Sequence, residues 1–281
     1  MTTLPAFPLE EGLYTGETVR AERLARGVLR LALNRPAVRN AFNARMIQET
    51  TQVLADLAAA EPARGRLLLL EGEGSVFCAG ADLGYMQEQA AAAPDRNLDN
   101  ARGLGRMFAA LAGFPAPVVC AVRGAAIGGG MGLAVCSDFT LADPMAVFAT
   151  SEVTLGLVPA VIGPYVVRRL GLAHAAPLML TGRRVLAREG LPWGLVQRLV
   201  DPAETWEEAL TRALEEFLQA GPGAARATKA LLGRIAPLPD ADLAEHAARA
   251  IAAARASAEG QSGLRAFFAR AAPPWTPEAR P

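Results

Sequence analysis

Three consecutive glycines, Gly128-Gly129-Gly130, followed one residue later by Gly132, carry the strongest chemical signal in this chain. Backbone without side chains lets a ligand approach the N–H groups closely, and at the start of a helix those groups lack intrahelical acceptors. Together with the positive end of the helix dipole they suit a phosphate, a carboxylate or a developing oxyanion. No Gly-Lys-Ser/Thr ending follows, which argues against a nucleotide-triphosphate loop, and a dinucleotide fingerprint would need a glycine where Leu133 stands. An oxyanion hole remains, the alternative being a glycine hinge that only lets a helix pack tightly on a strand.

A second candidate is Glu152, one acid in the otherwise apolar or neutral run from Phe148 to Pro159. It is either solvated or held in a dry pocket with a raised pKa, and the second state is what proton transfer needs. Asp82, at the end of Val76-Phe77-Cys78-Ala79-Gly80-Ala81-Asp82, reads first as a helix cap. His174 and His246 are the only histidines, far apart and without partners at ligand spacing, which disfavours a metal site or a His-dependent hydrolase. Lys229 is the only lysine, so there is little material for a lysine nucleophile.

The elements that must position these residues alternate between strand and helix. Pro117 to Val122 is an apolar run expected to form a buried strand leading into the glycines, and the small residues after them continue as a buried helix. Upstream, Gly27 to Leu33 and Arg66 to Glu71 read as strands around a helix capped by Asn43, whose apolar face includes Met46, Ile47, Val53, Leu54 and Leu57. Residues 1 to about 15 read as an irregular arm, and 90–100 as a loop without clear periodicity, part of a segment 84–100 expected to bear on specificity. Leu104 to Phe114 is a helix, Asp138 to Ala142 a strand, and the stretch after Pro202 a run of helices that suggests an appended layer or an oligomer contact. The expected class is α/β, with a core over 1–203 and a helical oligomerisation region over 204–281.

Composition excludes several classes. The chain has 281 residues, 52% of them hydrophobic and 20% charged, with 28 basic and 28 acidic side chains. A zero net charge gives no overall drive toward nucleic acid or an anionic membrane. Cys78, Cys120 and Cys136 sit in apolar surroundings without CxxC spacing, as reduced thiols of a cytoplasmic protein would. The first eleven residues lack the basic and apolar regions of a signal peptide, and no apolar run approaches the roughly 20 residues of a membrane span.

Four stretches, in order, resemble the enoyl-CoA hydratase/isomerase (crotonase) superfamily: Leu33-Asn34-Arg35-Pro36 with Arg39-Asn40-Ala41-Phe42-Asn43; Phe77 to Leu83; the glycine-rich stretch ending in Asp138; and Ser151-Glu152-Val153 with Leu155-Gly156-Leu157-Val158-Pro159. Phe267-Phe268-Ala269-Arg270 with Pro273-Pro274-Trp275 is similar to the family's closing segment. The resemblance implies a crotonase-like spiral of ββα turns with a helical C-terminal part, assembled as trimers or hexamers. It implies an oxyanion hole from the N–H groups of Ala81 and Gly129 and an acid/base role for Glu152. It places CoA near Arg39, Ala41, Ala79, Asp82, Leu83 and Arg270, and the acyl chain near Ile127, Met131 and Val161. An acyl-CoA thioester is the implied partner, with no separate cofactor because CoA is part of the substrate, and neither nucleic acid nor membrane is expected.

One departure matters. Two-acid hydratases of the family carry a Glu two residues after the third glycine, where this chain has Gly132. The glycine run and the segment 151–167 resemble most a bacterial subgroup of methylglutaconyl-CoA hydratases and related branched or isoprenoid acyl-CoA hydratases. The expectation is therefore hydration with Glu152 as the single acid, with a double-bond isomerase or a catalytically impaired acyl-CoA-binding protein as alternatives.

Overall fold

The computed structural model describes residues 4–60 and 65–275. The expectations for residues 1–3, at the tip of the arm, and for 276–281, at the end of the helical region, lie outside the described residues.

Among the described residues ten strands form two sheets. They are β1 (Leu9–Thr15), β2 (Val19–Leu24), β3 (Val28–Leu33), β4 (Leu67–Gly72), β5 (Val118–Val122), β6 (Ala125–Ile127), β7 (Phe139–Ala142), β8 (Val147–Ala149), β9 (Val185–Leu186) and β10 (Arg198–Leu199). The larger sheet has the order β1-β2-β3-β4-β5-β7-β10 and the smaller one β6-β8-β9. From β3 onward the larger sheet is parallel, while β1 and β2 join it antiparallel. The arm expected over residues 1 to 15 thus ends in a strand. β1 is an edge strand with mostly exposed side chains, and so it carries no apolar alternation to announce it.

The leucines of β4 show why its sequence is apolar throughout. Leu68 and Leu70 pack into the main core, whereas Leu67 and Leu69 face a second layer on the opposite side, so both faces of the strand are buried. The main core is covered by α1 (Ala44–Ala60), which turns Met46, Ile47, Val53, Leu54 and Leu57 inward, and whose start is capped by Asn43 Oδ1 accepting from Met46 N–H at 2.8 Å. Two further helices, α2 (Leu83–Ala91) and α3 (Pro94–Ala112), follow. Residues 90–100 are therefore not a loop. They are the end of one helix and the start of the next, broken at Ala92-Ala93 with Pro94 in the first turn of α3, where its missing N–H costs nothing. The polar side chain of Asn97 is buried here, which hides the helical apolar period.

The glycine run ends β6 and begins α4 (Gly129–Cys136), which is buried from Gly130 to Cys136. Beyond it come α5 (Gly163–Thr181), α6 (Ala187–Gly190), α7 (Trp206–Leu218), α8 (Pro222–Ile235), α9 (Ala241–Ala256) and α10 (Ala258–Phe268). α7 packs on the second face of the sheet through Leu210, Leu214 and Leu218, while α9 lies against α3 and α10 against the 3-10 turn Ser151–Leu155. Among the described residues no helix is long and apolar enough to cross a membrane.

Candidate active site

A cleft of about 360 Å³ opens between α2, the start of α4, the turn 151–155 and the two last helices. Its chemical interest begins with main-chain geometry. Phe42 N–H donates to Gly80 C=O at 2.7 Å, and Asp82 N–H donates to Phe42 C=O at 2.7 Å, so this short ladder pairs through residues 80 and 82. The N–H of Ala81 alternates with theirs and points to the other side, where Ala81 lines the cleft. Gly80 permits the turn before it with a φ of +95°.

The second free N–H comes from the helix start. Gly128 N–H is held by Ala149 C=O at 2.8 Å, and the first bond of α4 runs from Gly132 N–H to Gly128 C=O at 3.0 Å. Gly129 N–H precedes that bond and has no intrahelical acceptor. Gly129 also lines the cleft. Close packing also demands glycine here, because a Cβ on Gly129 would stand 2.7 Å from Phe42 Cε2 and one on Gly130 2.7 Å from Cys78 C=O. Close packing and an uncovered backbone require the same residue type.

Glu152 sits in the 3-10 turn and faces this helix start: its Oε1 lies 3.2 Å from where a Cβ on Gly128 would be. The residue is partly exposed, yet its Oε2 is closed to solvent and has no hydrogen-bond partner among the described residues. Burial pushes the carboxyl up to about 7, against a weaker opposing hydrogen bond from its own main-chain N–H. A group so poised can hold or release a proton near neutral pH.

Position 132, which the resemblance assigns to a second acid in two-acid relatives, is packed solid. A Cβ there would lie 2.5 Å from Ile162 Cγ2 and 2.8 Å from Phe108 Cε1. Gly132→Glu is accordingly expected to lose at least about 1–3 kcal/mol of stability from overpacking without gaining activity. Urea denaturation and an activity assay check this, and a stable, faster variant would contradict the packing argument.

Of the other residues singled out from the sequence, Ala79, Ile127 and Val161 line the cleft. Asp82 does what its position at a helix entry suggests: Oδ1 accepts from Gly84 N–H at 3.0 Å and Tyr85 N–H at 3.3 Å, and Oδ2 pairs with Arg35 at 3.0 Å. Met131 is fully buried in the core and is not brought to the cleft wall. Nor are Arg39, Ala41, Leu83 and Arg270. Arg39 and Arg270 are exposed in left-handed conformations, Ala41 C=O accepts from Arg35 Nη1, and Leu83 is exposed at the start of α2.

His174 is exposed and stacks on Trp193 at 5.3 Å, His246 is exposed on α9, and among the described residues no cluster could hold a metal ion. All three cysteines are buried and free, and burial pushes the Cys78 thiol up to about 12. Sequence reasoning missed the far end of the cleft, where Tyr85 and Gln89 on α2 meet Arg255 on α9. Their only signal was the i, i+4 spacing of Tyr85 and Gln89, which puts both on one helix face.

Strand–helix turns in this order, wound around one cleft and closed by C-terminal helices, define the crotonase fold. Comparisons with known proteins agree. A crystal structure of an enoyl-CoA hydratase from Shewanella pealeana superposes with a TM-score of 0.73 at 36% identity, covering 92% of this chain and 96% of that one. Pseudomonas aeruginosa AtuE does so with a TM-score of 0.73 at 39% identity, covering 92% and 99%. In sequence, a putative enoyl-CoA hydratase of Thermus thermophilus is 36% identical over 86% of this chain and 94% of that protein, and the 1,2-epoxyphenylacetyl-CoA isomerase of Escherichia coli is 35% identical over 63% and 67%. The enoyl-CoA hydratase/isomerase family model matches residues 23–278, and the chain belongs to that family.

Proposed function

We propose that this family member is an enoyl-CoA hydratase, adding water across the double bond of a 2-enoyl-CoA thioester, with a branched acyl group such as 3-methylglutaconyl as the favoured substrate. The observation that carries the reading is the desolvated carboxyl of Glu152, whose Oε2 has no hydrogen-bond partner among the described residues, in the same cleft as Ala81 and Gly129, whose main-chain N–H groups the local ladder and helix leave unused. The thioester oxygen would accept from Ala81 and Gly129, which stabilise the negative charge that grows there as the enolate forms. Glu152 as carboxylate would take a proton from water while the water oxygen bonds to C3. The resulting acid would then return the proton to C2 as the enolate collapses, so that water is added and the enzyme regenerated. CoA would lie across the outer segments carrying Arg39, Ala41, Asp82, Leu83 and Arg270, in a homotrimer or a pair of trimers.

A second reading is favoured by the packing at position 132. With Phe108 and Ile162 filling that space, a lone Glu152 is also sufficient for a double-bond isomerase, which removes a proton from one carbon and returns it to another. Incubation with a panel of enoyl-CoA thioesters in heavy-oxygen water separates the two by mass spectrometry. Hydration incorporates one solvent oxygen, isomerisation incorporates none, and tight binding without any product indicates an acyl-CoA-binding protein.

The pH profile gives an independent check. Hydration starts from ionised Glu152, so kcat/KM should rise with pH through about 7 and level off above it. A flat profile between about pH 5.5 and 8.5 would remove Glu152 from the role of base.

A further inference from the structure

The end of the cleft formed by α2 and α9 differs from the rest of its mostly apolar wall. Arg255 lines it, one turn along α9 from Ile251, which lines it too. The residue is half-buried, and its partial withdrawal from water lowers its pKa. The side chain donates from Nη1 to Asn97 Oδ1 at 2.8 Å, but among the described residues no carboxylate pairs with it. Two other arginines of these helices are paired with acids: Arg102 on α3 with Asp99 and Glu245, and Arg249 on α9 with Glu245. A half-buried cation held by a neutral amide retains part of its desolvation cost, and an anion beside it would offset that cost.

Gln89 supplies a separate observation. It is 7% exposed, lines the same end of the cleft, and its Oε1 has no hydrogen-bond partner among the described residues. An amide can be turned to present its NH₂ to a ligand instead of its oxygen. Tyr85, whose hydroxyl donates to Asn100 Oδ1, walls the third side. The polar cluster therefore has one cation without a carboxylate partner and one amide oxygen without a donor among the described residues.

We propose that Arg255, with Gln89 beside it, is a carboxylate-recognition subsite: the acyl group taken by this enzyme carries a carboxylate at the end remote from the thioester, and Arg255 selects it. The proposal rests on the reading of the cleft as an acyl-CoA site and goes beyond it by assigning the side chain that sets the acyl class. Arg255 is a specificity residue, remote from the proton transfer at Glu152. A planar guanidinium can grip a carboxylate with two parallel N–H bonds, which a lysine cannot do.

The test is equilibrium binding, so that it does not depend on which reaction follows. Glutaryl-CoA and pentanoyl-CoA have the same number of acyl carbons and differ in a terminal carboxylate against a terminal methyl. Calorimetric titration of the full-length protein should give a dissociation constant about 10- to 100-fold lower for glutaryl-CoA, the range expected for a charged hydrogen bond. Arg255→Gln should abolish that preference while leaving pentanoyl-CoA binding within about threefold, Arg255→Lys should keep part of it, and Gln89→Leu should reduce it. Equal affinities in the parent protein, or a preference that survives Arg255→Gln, would overturn the subsite while leaving the acyl-CoA reading standing. Failure of both thioesters to bind would overturn that reading and the subsite with it. If Arg255→Gln does not fold, the parent preference and the graded effect of Arg255→Lys still decide the matter.

Discussion

Replacing Glu152 by glutamine should lower kcat/KM by roughly 100- to 10,000-fold, the usual contribution of a general acid/base group, while leaving the protein folded. The same substitution should make the protein more stable at alkaline pH. In the native state burial holds the carboxyl near 7, whereas an unfolded chain titrates it near its ordinary value of 4.5. Between those two pH values the native state binds more protons than the unfolded one, so stability falls as pH rises through the window and the full penalty applies above 7. Glutamine carries no such penalty. At pH 8 the variant should therefore be more stable by on the order of 1–3 kcal/mol, the partial exposure of the residue keeping the gain below the full value of the shift. At pH 4.5 the difference should vanish. Steady-state kinetics paired with urea melts at the two pH values test both halves; turnover within tenfold of the parent would end the acid/base assignment. A catalytic group that costs stability is a familiar arrangement, because a site poised for proton transfer must keep its carboxyl from water and from partners.

The parts of this architecture that announce themselves in the sequence are those where local pattern and tertiary demand coincide. β4 reads as a run of leucines because both its faces are buried, and α1 reads as a helix because one face is buried and Asn43 caps it. The glycine run is visible because close packing against Phe42 and Cys78 excludes any side chain there. β1 escapes because an exposed edge strand needs no apolar period, and the α2–α3 corner escapes because Asn97 and Gln89 are buried polar residues that break the period. Buried polar groups in a cleft are legible only through their partners, and these lie far along the chain. Arg255 meets Asn97 across 158 positions, a pairing no spacing rule could suggest. The same holds for Glu152. Its isolation in sequence fitted a solvated surface acid better, until the fold closed its Oε2 from water beside Gly128.

A second large effect is expected far from the cleft, at Arg30. Arg30 lies in the middle of β3 and is only 3% exposed. Its guanidinium donates to Glu22 at 2.8 Å, to Glu71 from Nε at 2.5 Å and to Glu73 at 3.2 Å, so one cation sits among three acids on adjoining segments of the sheet. Such a cluster is balanced against a large desolvation cost and adds little by itself, but removing its centre leaves buried carboxylates facing one another. Arg30→Met should accordingly cost about 3–5 kcal/mol at pH 7.5. The sign of the pH dependence follows from Glu71, which burial already holds above its ordinary pKa even with Arg30 beside it. Without the guanidinium its pKa rises further, the native state then binds protons that the unfolded state has released, and the variant regains stability as pH falls toward 5. The gap between parent and variant should therefore be widest above neutrality and narrow under mild acid. Thermal melts across that range measure it; a gap that is absent at pH 7.5, or that stays constant with pH, would mean the three acids find other compensation. Because the cluster sits in the sheet and Glu152 is in the turn after β8, kcat/KM of the folded fraction should be unchanged. That would separate the residues that hold the sheet together from those that work in the cleft it supports.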